Sequence, residues 1–283
     1  MVLISIFLAV TTILLIGGGC GRSEDEARRL KQEGNLALQS GDTDRALKLF
    51  KEGLEIRSSD RDFLFNIGIC FKRLDILDSA LVYFRHTRIL YPRDPEVNRE
   101  LIHLCPIYGD YDCAINAIAM LVSMGDNEQL YWSRLAELYY RKNEYGMAVK
   151  YYKLILADNP DDWNAYLSLS TTLAQMGKTE ESNDFLQAHI DRFGPSAEAY
   201  TNMAVNFITL KNIQQAEQCF RKSLALNPEK IPVWINLANV LSEQKDMAKK
   251  REALEIYKKY RQQTPKFYNL DSLIPALEQE ISQ

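Results

Sequence analysis

Histidine is scarce in this chain of 283 residues, and the three that occur, His86, His103 and His189, lie far apart. No two cysteines are separated by two residues as in common zinc sites, and no nucleophile with a neighbouring base can be recognised. The only glycine-rich run, 17–19, lies in a segment that we expect to be removed, so no phosphate-binding loop is predicted. The sequence therefore predicts a protein that is not an enzyme and that holds neither a cofactor nor a metal.

Excess positive charge is also lacking. The formal net charge is −4, and the charged residues, 25% of the chain, are of both signs. A chain without a basic field has little to attract nucleic-acid phosphates. We therefore expect no nucleic-acid partner and, without a recognisable site, no small-molecule substrate.

What the chain does have is a period of 34 residues. A small residue recurs in phase through six consecutive units, and a large apolar residue recurs four positions after it. The small residues are Ala46, Ala80, Ala114, Ala148, Ser182 and Ala216, and the large ones are Phe50, Phe84, Ile118, Tyr152, Leu186 and Phe220. This spacing resembles the tetratricopeptide repeat, in which a conserved alanine and aromatic residue precede a closing proline.

We place the repeats at 27–60, 61–94, 95–128, 129–162, 163–196, 197–230 and 231–267. In the fourth, Trp132, Leu135 and Tyr139 form one helical stripe, and a second helix follows the turn at 143–144. A small residue at the eighth place, such as Gly34 or Gly68, allows the two helices to approach closely. The resemblance implies an all-α fold, a right-handed solenoid of about seven helix hairpins, because one pair alone cannot bury its apolar face.

The two ends and the third repeat depart from the pattern. Residues 268–283 are predicted to form a capping helix with Asp271 as its N-cap and Leu273, Leu277 and Ile281 on its apolar face. In the third repeat a large residue, Ile102, takes the place of the small one, and a proline lies near the end of its first helix. We expect a local irregularity there.

The N-terminus resembles a bacterial lipoprotein signal. An apolar run over residues 1–16 is followed by three glycines and Cys20, which implies cleavage after residue 19, lipid attachment at Cys20 and a short tether over 20–26. No Lys or Arg precedes the run, and Gly17 stands where Leu or Val is usual. An uncleaved signal anchor is the alternative. Either implies a membrane protein of the bacterial cell envelope, with the choice of membrane left open.

Four further cysteines remain, and Cys70, Cys105 and Cys219 fall on expected core faces. A free cysteine in a core behaves as a small apolar residue, so we expect reduced core cysteines. Cys105 and Cys113, which flank the turn of the third repeat, are the one pair close enough in sequence to suggest a disulfide.

In this family the first helix of each repeat lines a groove through its second, fifth, sixth, ninth, twelfth and thirteenth places. In the first two repeats these places include Lys31, Asn35 and Asn66, which resemble part of a clamp for a partner's C-terminal carboxylate. The two remaining basic positions of the clamp fall on Glu96 and Glu100. Because two carboxylates would repel an acidic C-terminus, we do not expect a chaperone-tail site.

Later repeats carry a different lining. The sixth and seventh repeats offer amides that can pair with a peptide backbone and apolar anchors beside them. The predicted groove residues there are Asn202, Val205, Ile208, Ile235, Asn236 and Asn239. In the fourth repeat, Arg134 and Arg141 lie near Leu130 and Tyr140 and form a second candidate patch.

The sequence as a whole predicts a membrane-anchored scaffold that binds a protein or peptide partner in its groove, in the assembly of an envelope complex. Two alternatives stay open. The first is an envelope enzyme carried on the repeats, which would need an unrecognised carboxylate pair or a cluster of His103, Cys105 and Cys113. The second is a self-assembly module, whose size in solution would depend on concentration.

Overall fold

A computed structural model of the chain describes residues 24–263 and 269–282. The predicted signal, Cys20 and Pro265 at the end of the seventh repeat lie outside the described residues. Within these residues no helix is both long enough and apolar enough to cross a bilayer. The chain divides into two compact units, Met1–Gly125 and Asp126–Gln283, hereafter unit 1 and unit 2.

Unit 1 is built of helices that pack with their neighbours in the chain, and its described residues contain no strand. The helices are α1 (Glu24–Gln39), α2 (Thr43–Ile56), α3 (Arg61–Arg73), α4 (Leu77–Leu90), α5 (Pro95–Leu104) and α6 (Tyr111–Ser123), with a 3-10 helix at Cys105–Tyr108. The successive first helices α1 and α3 also touch. Unit 1 is therefore a stack of three helix pairs.

Unit 2 continues the same arrangement. Its helices are α7 (Trp132–Arg141), α8 (Tyr145–Asp158), α9 (Trp163–Gln175), α10 (Thr179–Phe193), α11 (Ala197–Thr209), α12 (Ile213–Leu226), α13 (Ile231–Ser242), α14 (Met247–Tyr260) and α15 (Leu270–Ser282), with 3-10 helices at Glu128–Tyr131 and Arg261–Gln263. Four pairs pack in sequence, and α15 packs on α14. The predicted all-α fold of helix pairs is confirmed.

Several first helices begin where the sequence supplies an N-cap. The side chains of Asp60, Asp94 and Asp162 each accept a hydrogen bond from a backbone N–H in the first turn of α3, α5 and α9. Such a bond satisfies one of the donors that a helix start leaves open. The capping residues therefore fix where these three repeats start.

The small eighth place is required by an aromatic ring. A Cβ atom on Gly34 would lie 2.5 Å from a ring carbon of Phe50, and one on Gly68 would lie 2.7 Å from a ring carbon of Phe84. Both rings are fully buried. The two helices of a pair therefore close on the aromatic residue of the second helix, and each glycine leaves the space for it.

The third repeat contains a disulfide between Cys105 and Cys113, whose Cα atoms are 5.9 Å apart. It joins the 3-10 helix that follows α5 to the first turn of α6. The expectation of reduced cysteines is therefore wrong for this pair, because the early end of α5 at Leu104 brings Cys105 beside α6. Cys70 and Cys219 are buried free thiols, as predicted.

The C-terminal helix covers the end of unit 2, but its start and face differ from the prediction. The helix begins at Leu270, so Asp271 lies in its first turn and pairs with Arg261 at 2.7 Å instead of capping the helix. Leu270, Ile274 and Leu277 are buried, whereas Leu273 is exposed. The apolar stripe is thus rotated away from Leu273.

His189 in α10 is buried. The rings of Tyr166 and Phe193 lie against it, and its Nδ1 has no hydrogen-bond partner among the described residues. Burial lowers the pKa of His189, and the nearby carboxylate of Glu198 opposes this only in part. A protonated imidazole is therefore disfavoured in the folded unit.

We expect the stability of the protein to fall when the pH is lowered from about 7.5 to about 5.5. The unfolded chain takes up a proton at His189 near the ordinary pKa of about 6.5, whereas the folded chain resists it, so acid favours unfolding. Urea midpoints at the two pH values measure the effect. In His189→Leu the urea midpoint should change less between the two pH values than in wild type, whereas the exposed control His86→Leu should show the wild-type change. An equal change of the midpoint in wild type and His189→Leu would refute the role given to His189.

Candidate peptide-binding face

We call the surfaces that α1, α3 and α5 present in unit 1, and that α7, α9, α11 and α13 present in unit 2, the first-helix faces. In unit 1 this face is crossed by ion pairs. Lys31 Nζ lies 2.9 Å from a carboxylate oxygen of Asp62, Arg61 pairs with Asp94 and Glu96, and Lys72 Nζ lies 2.6 Å from Glu100. Each pair links one first helix to the next.

The contact between Lys31 and Asp62 favours the charged form of both partners. Burial alone would lower the pKa of Lys31, but hydrogen bonds to Asp62 and Asp60 outweigh it and raise that pKa. Burial likewise opposes ionisation of Asp62, yet the bonds from Lys31 and Arg61 lower its pKa. The charges on this face are therefore largely neutralised by one another.

The amides predicted to line the groove in unit 1 also meet one another. Asn66 Nδ2 donates a hydrogen bond of 3.2 Å to Oδ1 of Asn35. Lys31, Asn35 and Asn66 thus lie on the predicted face, but each has a partner from within unit 1. Glu96 and Glu100, the carboxylates at the two remaining clamp positions, are themselves paired with Arg61 and Lys72.

In unit 2 the predicted basic patch is a shared ion pair. Arg134 and Arg141 both contact the carboxylate of Glu137, at 2.7 and 2.9 Å. Two guanidinium groups around one carboxylate leave one net positive charge on α7. Arg141 is the more accessible, with 53% of its side chain exposed.

The helix α11 exposes apolar side chains on this face. Val205 is 47% exposed and Ile208 38%, and Asn202, one turn before Val205, is half-buried. Exposed branched apolar side chains beside an amide are suited to an extended peptide, since the amide can pair with its backbone. These three predicted residues lie together along one helix.

The prediction for α13 needs correction. Ile235 is 1% exposed and belongs to the hydrophobic cluster that α12, α13, α14 and α15 share, so it is a core residue and does not line a groove. Asn239 accepts a hydrogen bond of 2.7 Å from the hydroxyl of Tyr257 in α14, which holds its amide within the fold. Asn236 and Asn239 are both half-buried on α13, and Asn236 keeps its place in the face.

The sequence reasoning missed a pocket in unit 2. It has a volume of about 220 Å³ and is lined by Tyr140 of α7, Tyr152 of α8, and Leu167, Ser168 and Thr171 of α9. Tyr152 occupies the place four residues after the repeat's small alanine, where Phe50, Phe84, Leu186 and Phe220 are fully buried. Tyr152 is only partly buried. Tyrosine at this place was the available signal, because its hydroxyl needs a polar partner or water.

His103, Cys105 and Cys113, the cluster on which an enzyme would depend, do not form a set of three metal ligands. Cys105 and Cys113 are bonded to each other, and His103 is exposed on α5. Asp110 is the carboxylate beside the two sulfurs. Because zinc is bound by thiolates, sulfurs joined in a disulfide do not supply its usual ligands.

The family models that match this chain describe repeats. Family models described as tetratricopeptide repeats match residues 31–95 and 197–230, and a model described as the fifth ARM repeats domain of TT21 matches residues 133–209. The chain is a tetratricopeptide repeat protein. Repeat proteins of this family bind other proteins and are generally non-enzymatic. The chain is therefore a protein-interaction scaffold.

The similar proteins are longer and distant. BBSome complex member BBS4 of Bos taurus is 22% identical over 224 residues, 79% of this chain and 43% of that protein. Cellulose synthase 1 operon protein C of Komagataeibacter xylinus is 26% identical over 247 residues, 81% of this chain and 18% of that protein. This tetratricopeptide repeat chain thus spans less than half of either relative.

Among solved structures, the complex described as Naa15/Naa10 bound to HypK-THB contains a chain that superposes with a TM-score of 0.60. The identity is 19%, and the match covers 84% of this chain and 37% of that one. At this identity the likeness shows the fold alone. It agrees with the stacked helix pairs.

Proposed function

We propose that the chain is a membrane-anchored scaffold that captures an extended segment of a partner protein on the first-helix face of unit 2. The observation that carries this proposal is the contrast between the two faces. In unit 1 Lys31 and Lys72 are bridged to carboxylates of the following first helix, whereas α11 presents Val205 and Ile208 to solvent beside Asn202. An apolar contact with few charges to desolvate favours binding there.

The binding test uses peptides selected from a phage-displayed library of random 12-residue sequences on the full chain in detergent. The variant Asn202→Ala/Val205→Ser/Ile208→Ser should bind the selected peptides at least about tenfold more weakly, because it removes two apolar anchors and one amide. Fluorescence anisotropy gives the dissociation constants. The control Leu226→Ser alters a side chain of similar exposure on α12 and should bind as wild type does. Equal affinities in all three proteins would refute the placement on α11.

We further propose that the protein is lipid-anchored at Cys20 in a bacterial cell envelope and serves the assembly of a complex there. The apolar run before Cys20 supports the anchor. The disulfide between Cys105 and Cys113 supports an exported location, since such bonds persist in oxidising compartments. The bacterial relative from Komagataeibacter xylinus is compatible with this placement.

The anchor is tested by growing cells with a fatty-acid analogue that can be coupled to a dye. Wild-type protein should carry the label and Cys20→Ser should not, because the cysteine sulfur is the proposed attachment point. Cys219→Ser, which changes a buried thiol, serves as the control and should be labelled like wild type. Label retained in Cys20→Ser, or absent from wild type, would contradict the anchor.

A further inference from the structure

The pocket lined by Tyr140, Tyr152 and Thr171 lies on the same face as the proposed binding site, one repeat earlier. Ser168 and Thr171 of α9 stand 34 residues before Asn202 and Val205 of α11 and so occupy the same places in their repeat. The helices α9 and α11 touch directly. The pocket and the apolar residues of α11 are therefore neighbours on one surface.

The size and lining of the pocket suit a single side chain. Its volume of about 220 Å³ lies below the range of roughly 300–1,000 Å³ typical of small-molecule sites. The rings of Tyr140 and Tyr152 and the side chain of Leu167 supply apolar walls. Ser168 lies close to Tyr152 in the lining and offers its hydroxyl a polar partner. Large apolar side chains in such pockets commonly dominate binding energy.

The charges that α7 carries beside the lining residue Tyr140 restrict what can lie next to that side chain. Glu137 lies close enough to oppose ionisation of Tyr152, and it is bracketed by Arg134 and Arg141. The three charges sum to +1. A guanidinium has five N–H donors and pairs well with a second carboxylate, and Arg141 is exposed enough to do so. This part of α7 is complementary to an acidic group.

We propose that this pocket takes one large apolar side chain of the partner's extended segment, and that an Asp or Glu next to it in the segment pairs with Arg141. This inference rests on the proposed function, since it names the chemistry of the segment bound there. Neighbouring packed helices lie roughly 8–10 Å apart, and an extended chain covers about 3.3 Å per residue. The residue over Val205 therefore follows or precedes the anchor by about two or three positions.

The experiment repeats the library selection on four full-length proteins: wild type, Thr171→Trp, Gln187→Trp and Arg141→Glu. Thr171→Trp fills the pocket, whereas Gln187→Trp adds the same side chain to an exposed position of the second helix α10, outside the first-helix face. Wild type and Gln187→Trp should enrich an apolar residue adjacent to Asp or Glu. Thr171→Trp should lose that motif and bind the wild-type peptides at least about tenfold more weakly. Arg141→Glu should keep the apolar residue and replace the acidic neighbour with Lys or Arg.

Two outcomes would overturn the inference. The first is that selection on Thr171→Trp enriches the same motif as selection on wild type. The second is that the selected peptides show no preference for an acidic residue beside the apolar one and that Arg141→Glu does not change this. If those peptides still bind the Asn202→Ala/Val205→Ser/Ile208→Ser variant more weakly than wild type, the proposed function stands and only the role of the pocket fails. If wild type enriches no peptide, both fail.

Discussion

Phe220→Ala is expected to lower the free energy of unfolding of unit 2 by about 3–5 kcal/mol, the usual cost of truncating a fully buried aromatic side chain. Phe220 is completely buried in α12 and lies in the cluster that includes Ala204, Leu237 and Tyr257. The cost combines the lost transfer of the ring from water with the cavity that it leaves. Helices on both sides line that cavity, so it cannot close without moving a repeat.

Urea denaturation followed by tryptophan fluorescence measures this change, because Trp132, Trp163 and Trp234 all belong to unit 2. The matched control is Leu226→Ala on the same helix, where the side chain is 48% exposed. An exposed truncation of this kind should cost less than about 0.5 kcal/mol. If the two variants shifted the transition equally, Phe220 would not be the core residue described above.

Gly53→Leu is expected to destabilise unit 1 by about 1–3 kcal/mol or more, through overpacking. A Cβ atom at Gly53 of α2 would lie 2.3 Å from two ring carbons of Phe63, which is fully buried in α3. The ring cannot swing into solvent, so α2 and α3 would have to separate. This contact joins the second helix of one repeat to the first helix of the next.

Gly146→Leu is the control for that substitution. Gly146 lies in the first turn of α8, and a Cβ atom there would meet nothing within 4 Å. Leucine has the higher helix propensity, by up to about 1 kcal/mol, so this variant should be as stable as wild type or more so. Thermal melting followed by circular dichroism at 222 nm compares the two. A Gly53→Leu protein that melts like Gly146→Leu would contradict the close approach of α2 and α3.

The fold could be predicted because each structural role recurs at a fixed place. A small residue is followed four positions later by a large apolar one in six consecutive repeats, as at Ala80 and Phe84. This recurrence identifies the repeat even where single units deviate. Capping residues such as Asp60 and Asp162 then give the helix starts. The small eighth place was also predictable, although its neighbour is the ring of Phe50 or Phe84.

The site was less predictable because place in a repeat does not fix burial. Ile235 and Thr201 share the fifth place of their repeats, yet Ile235 is buried by the cluster that includes α14 and α15. Asn239 is held by a hydroxyl from another helix, a contact without a local sequence signal. Likewise the exposure of Tyr152 depends on how α9 packs against α7 and α8. Such features arise from tertiary packing, which differs between repeats and is not encoded in the periodic pattern that they share.

The disulfide illustrates the same limit in the irregular repeat. The expected place on a core face does not distinguish Cys105 from the buried free thiol of Cys70. The difference comes from the early end of α5 at Leu104 and the 3-10 turn that follows it, which place Cys105 beside Cys113. Pro106 favours that break, since it cannot donate to a continuing helix.

Photocrosslinking in cells that make the full chain shows whether a partner segment lies on the first-helix face of unit 2. A benzophenone amino acid is placed at Val205, at Ile208, or at Leu226 of α12, whose exposure matches that of Val205. We expect the first two positions to crosslink to the same protein and Leu226 to give no adduct. Adducts from Leu226 alone, or equally from all three positions, would contradict this placement.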